Sequence, residues 1–169
     1  GLIPAGQAFW VRTFSGSPAL TILEAAKVNA DAPEEPSQSD PQYLVLRLKQ
    51  GAISDPAYIL FTEEGTDGFD AQYDGRKLRN HGMFNLSTIA ADTVSLAVNN
   101  VSNAFCSKTI NIKVADIPAG SYAFAFENLE SFPGIGDITL VDHFTGTSTT
   151  VTGADYTFAV TGTGSSHSR

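Results

Sequence analysis

Apolar and polar residues alternate with period two in short blocks along most of this chain, the mark of strands with one face buried. Tyr43–Lys49 puts Leu44, Leu46 and Leu48 on one face and Arg47 and Lys49 on the other. Tyr122, Phe124 and Phe126 alternate with Ala123 and Ala125, the clearest strand in the sequence. Gln7–Phe14 alternates too, with Phe9 and Val11 opposite Trp10 and Arg12, and Leu20–Leu23 reads as a second short strand. Met83–Leu86, Val94–Val98, Lys108–Val114, Asp137–His143, Ser148–Thr152 and Tyr156–Val160 continue the series. Ala57–Phe61 is more continuously apolar, as expected of a central strand covered on both sides. Glu24–Val28 has locally helical residues and its state stays open. Gly, Pro and Asn turns separate the blocks, and no 3.6-residue period is sustained. The pattern predicts an all-β fold, an antiparallel β-sandwich of jelly-roll type with little or no helix.

Two segments stand outside it. Residues 30–41, ADAPEEPSQSDP, hold three prolines, four acids and no large apolar residue, and predict an acidic surface loop. Residues 161–169 read as a flexible tail or the lead into a last strand. A short echo, Ile3-Pro4-Ala5-Gly6 and Ile117-Pro118-Ala119-Gly120, marks two strand-entry turns.

Length and charge narrow the class. At 169 residues the chain suits one domain, residues 1–169, able to bury about 70% of its unfolded surface. Eighteen acidic against ten basic residues give a net charge of −8, which argues against a phosphate-backbone partner and so against nucleic acid. No apolar run reaches the roughly 18 residues of a membrane span, and no stretch reads as a signal peptide. Beginning with Gly1, the chain reads as a processed or excised piece of something longer. Cys106 is the single cysteine, so no internal disulfide forms, and a buried inert thiol is expected.

The chemistry concentrates between Thr66 and Leu78, TDGFDAQYDGRKL, with three aspartates, two aromatics and two basic residues. One helical turn through Asp70–Asp74 sets those two carboxylates on one side. A calcium site on Asp67, Asp70 and Asp74 is one reading, since hard cations collect oxygen ligands from flexible loops. The spacing is not that of an EF-hand. The preferred reading is a rigid loop whose aspartates cap turns and pair with Lys77, while Phe69 and Tyr73 plug into the core.

Catalysis has little support. His81, His143 and His167 are far apart, no G-x-S-x-G elbow is present, and His143 faces away from Asp142 along its strand. A small jelly-roll glycosidase needs two facing carboxylates, for which Glu63, Glu64, Glu127 and Glu130 are available, yet aromatic platforms are few. Binding of carbohydrate without catalysis rests on Trp10, Tyr58 and Tyr73, whose flat faces suit sugar rings. The Asn85-Leu86-Ser87 and Asn100-Val101-Ser102 triplets match N-glycosylation acceptors.

Three strings share a resemblance. Ile3-Pro4-Ala5-Gly6-Gln7-Ala8-Phe9-Trp10-Val11 is similar to an IPxGQxFxV opening. Asp67-Gly68-Phe69-Asp70, Tyr73-Asp74 and Lys77-Leu78 resemble an xDGFDxxYDxxKL string. Leu140-Val141-Asp142 with Tyr156-Thr157-Phe158 resembles a closing xLxD…YxF pattern. Together they resemble β-sandwich modules near the C-termini of secreted and cell-surface proteins of the Bacteroidetes, beside the sorting domain read by the type IX secretion system. The resemblance implies an exported, non-catalytic structural or adhesive module with no resident cofactor unless calcium. Beside neighbouring domains of the parent protein, the residues themselves leave two further expected partners: a polysaccharide on the aromatics, or a second copy joined at a sheet edge left open by an incomplete first or last strand. Asp92-Thr93-Val94 resembles the O-glycosylation acceptor of the same group, which makes Thr93 a candidate.

Overall fold

The computed structural model describes residues 11, 16–17, 19–23, 42–132, 137–162 and 164–168. The chain divides into two compact units, Gly1–Asp40 and Pro41–Arg169. In the first, Leu20–Leu23 is exposed and unpaired in any strand, so the short strand expected there does not form. The strand expected at Gln7–Phe14 with Trp10, the segment Glu24–Val28, and the acidic stretch 30–41 fall outside the described residues.

The second unit is all-β. Its strands are β1 (Gln42–Gln50), β2 (Ile53–Thr62), β3 (Gly75–Arg76), β4 (Asn85–Ile89), β5 (Ser95–Ser102) and β6 (Asn111–Ile117). They continue as β7 (Gly120–Glu127), β8 (Thr139–Asp142), β9 (Thr147–Thr150), β10 (Tyr156–Val160) and β11 (Gly164–Ser168). One 3-10 turn, Leu129–Ser131, follows β7. The large sheet runs β10-β7-β1-β2-β5-β4-β6-β11, with β3 added on β5, and β8 and β9 form a separate hairpin. Residues 164–168 are therefore strand, paired with β6, rather than a free tail.

The sheet forks at β5. Leu96 pairs with both Arg76 and Thr88, and Val98 with both Gly75 and Tyr58. A strand residue has one neighbour on each edge, so β3 holds one edge of β5 while β4 and then β2 succeed each other along the other. Beyond that point β2 and β4 belong to different layers. The β2–β5 pair is parallel; every other pair among the described strands is antiparallel.

A core joins the layers. Leu46 and Leu48 of β1, Leu86 of β4, Val114 and Ile117 of β6, and Tyr122 and Phe124 of β7 pack together within it. The link from β6 to β7 is only Pro118-Ala119, and the Tyr122 hydroxyl donates to the Pro118 carbonyl at 2.9 Å. Burial raises the pKa of that phenol. Leu44, Leu46 and Leu48 are all buried, as are Tyr122 and Phe124, but the alternation is not strict: Val45 and Ala125 are buried too, and Phe126 is half-buried. On β2, by contrast, Asp55, Ala57 and Ile59 are buried while Tyr58 is exposed, so this strand is covered on one face at its centre rather than on both.

Candidate functional site

Asp55 occupies the fork. The residue is 5% exposed, and its carboxylate accepts three hydrogen bonds. Lys77 Nζ donates to Oδ1 and Oδ2 at 2.6 and 2.5 Å. The Leu86 amide, on the edge of β4 turned away from β6, donates to Oδ2 at 2.6 Å. Where β2 and β4 part, the ladder would leave that amide orphaned, and a buried unpaired N–H costs about 1–3 kcal/mol. Asp55 supplies the missing acceptor, and Lys77 supplies the missing charge. The expectation that Lys77 pairs with the aspartates of its own loop is thus corrected: its partner is on β2.

The loop aspartates have other work. Asp67 forms an ion pair with Lys108, and its carbonyl accepts from Ala91 N at 2.7 Å. Asp70 Oδ1 accepts from Gln72 N at 2.8 Å, a local side-chain turn. Asp74 Oδ1 accepts from Asn100 N at 2.7 Å and its Oδ2 from Asp70 N at 2.8 Å, which ties the loop to β5. The single turn expected through Asp70–Asp74 is present, with Asp74 N donating to Asp70 O at 2.8 Å. Gly65 begins this loop against β5, where a Cβ would overlap the Val101 carbonyl. Among the described residues no three His, Cys, Asp or Glu side chains gather in a metal-holding group.

The aromatics of the loop do not plug it into the core. Tyr73 is 39% exposed, and Phe69 is half-buried beneath the Arg76 guanidinium, 3.9 Å from its ring centre. A cation over an aromatic face is a favourable stack in its own right. Tyr58 is likewise exposed, on β2. Trp10, the third proposed sugar platform, lies outside the described residues.

Glu127 is held by Arg47 at 2.6 and 3.0 Å. That hydrogen bond, more than the attraction of charge, draws the glutamate pKa below its ordinary value, and it raises that of Arg47 in turn. Glu63, Glu64 and Glu130 are exposed. Asp142 is buried, accepting from the Tyr156 hydroxyl at 3.0 Å and from Phe144 N at 2.9 Å, while His143 beside it is exposed. Thr93 is exposed in the β4–β5 turn with φ +68°, a conformation costly for a β-branched residue. Asn85 and Asn100, heading the two glycosylation triplets, are buried in strands with exposures of 6% and 4%.

Cys106 is exposed, not buried. It sits in the connection between β5 and β6, at the mouth of a cavity of about 280 Å³. Leu44, Leu46, Ile59, Phe61, Phe126 and Phe132 give this cavity its apolar walls. Cys106, Ser107, Lys108 and Asp137 add polar atoms to its lining. A second, more polar cleft of about 240 Å³ shares Ser107, Lys108 and Ile110 with it. Sequence reasoning missed both Asp55 and the cavity. The first left a signal, an acid two residues before Ala57 on the inward phase of a strand. Comparison with known protein families, curated proteins and solved structures gives no match to this chain.

Proposed function

We propose that this chain is a non-catalytic structural or adhesive module of an exported, cell-surface protein, a stiff sandwich that presents its loops to neighbouring domains. The observation that carries the reading is how the acidic loop spends its groups. Asp67, Asp70 and Asp74 each bond to the chain itself: Asp67 to Lys108 in the β5–β6 connection, Asp70 to its own turn and Asp74 to β5. Reacting carboxylates of a glycosidase face each other across a cleft that holds substrate; here Glu127 is neutralised by Arg47 instead. The resemblance of the opening, central and closing strings to exported Bacteroidetes modules supports the extracellular setting.

The test uses the purified chain. Incubation with a panel of polysaccharides is expected to release no sugar, and melting is expected at the same temperature in calcium and in chelator. Turnover that disappears in Glu127→Gln would overturn the non-catalytic reading. A melting temperature raised several degrees by calcium and insensitive to it in Asp70→Asn would replace the brace with a metal site.

A further inference from the structure

We propose that the cavity between the two layers is a binding site for an uncharged, mainly apolar small molecule. Its volume of about 280 Å³ is close to twice the ~150 Å³ of an engineered apolar cavity that takes up benzene. That scaling suits an aliphatic chain or fused-ring ligand of roughly ten carbon atoms. The walls are apolar on both sides, Leu44 and Ile59 from one layer and Ile110 from the connection into the other. Phe61 and Phe132 meet edge to face at 5.2 Å and leave flat ring surface in the lining. Polar groups are confined to a few positions, which is the usual makeup of a small-molecule pocket.

The charges choose the ligand's character. Lys108, the cation of the lining, is paired with Asp67. Asp137 adds a negative charge to the lining, and the chain as a whole carries −8. An anionic head group would have to displace Asp67 and approach an acidic protein, so the site favours a neutral one. A hydroxyl or amide at the ligand's end has Ser107 and the neighbouring polar cleft within the same wall.

The probe is N-phenyl-1-naphthylamine, an uncharged apolar fluorophore, titrated into the full chain. Saturable enhancement at one probe per chain is expected, displaced more readily by 1-decanol than by decanoate. Two variants at exposed lining positions on different elements, Ser107→Phe in the β5–β6 connection and Thr139→Trp on β8, fill the cavity from outside the core. Each is expected to weaken the probe at least tenfold while melting as the parent does. Occupancy is also expected to slow alkylation of Cys106, the chain's single thiol, by iodoacetamide. An unsaturable signal, or one that both variants leave intact, overturns the proposal. Tighter binding of decanoate overturns the neutral assignment. Concentration-dependent dimerisation abolished by the same variants, without probe binding, gives the cavity to a second copy of the chain instead.

Discussion

The space between the two layers is filled at one end and hollow at the other, though one row of leucines serves both. Leu48 lies in a cluster of eleven buried residues that includes Phe84, Tyr122 and Phe124, and Leu46 belongs to that cluster while also lining the cavity. Two positions along the same face, Leu44 joins Ile59 and Val101, the buried members among the described residues of a smaller cluster whose other members are half-buried. At the filled end Phe84 and Tyr122 meet edge to face at 5.6 Å. At the hollow end Phe61, Phe126 and Phe132 line a cavity. Interiors are ordinarily packed with few voids larger than a water molecule. A domain that closes one end to that standard and leaves the other open has placed stability and accessibility in different halves.

Truncations sharpen the contrast, and Leu48→Ala is expected to have the largest effect. It empties a fully buried site and should cost about 3–5 kcal/mol, read as a lower urea midpoint. Ile110→Ala removes a half-buried group from the wall of an existing cavity and should cost about 1 kcal/mol or less. Equal losses at the two positions would mean that both ends are packed alike.

A smaller effect is expected from acid. The Arg47 hydrogen bond holds Glu127 below its ordinary 4.5, so its contribution is fully present above that pH and is lost as the pH falls through the lower folded value. The two side chains are 26% and 46% exposed, so solvent and salt screen the pair. Glu127→Gln should flatten the stability profile slightly below pH 4.5, and only at low ionic strength. A steep change that survives high salt would contradict the surface assignment.

How much of this was legible in the residues depended on distance along the chain. Leu44, Leu46 and Leu48, and Tyr122 with Phe124, declare their strands because a period of two is written in adjacent positions. Thr66–Leu78 declared a turn-rich loop by its Asp-Gly and its paired acids, and residues 66–74 form one, but Gly75 and Arg76 pair with β5 as the short strand β3, which two residues are too few to announce. The parallel meeting of Tyr58 with Val98 is not written locally, since nothing within either strand names its neighbour. Asp55 was hidden by Pro56, which breaks the apolar run just where the inward phase carries on. Pro56 instead pairs with Arg47, well inside β2. Cys106 was misjudged for a different reason: a free thiol is among the most often buried side chains, but the connection between β5 and β6 is irregular and turns this one outward.

The central claim is that Asp55 and Lys77 close the fork where one sheet becomes two layers. Removing the lysine leaves a buried carboxylate without its charge partner, a change that typically costs about 3–5 kcal/mol. The most direct measurement is amide hydrogen exchange at Leu86 in the parent chain and in Lys77→Met. The parent amide, bonded to a side chain rather than to a neighbouring strand, should exchange as slowly as the ladder amides of Val114 and Phe124, and the variant should speed it by a factor of 100 or so for each ~2.7 kcal/mol lost. A Leu86 amide that exchanges quickly in the parent, or at an unchanged rate in the variant, would contradict the account.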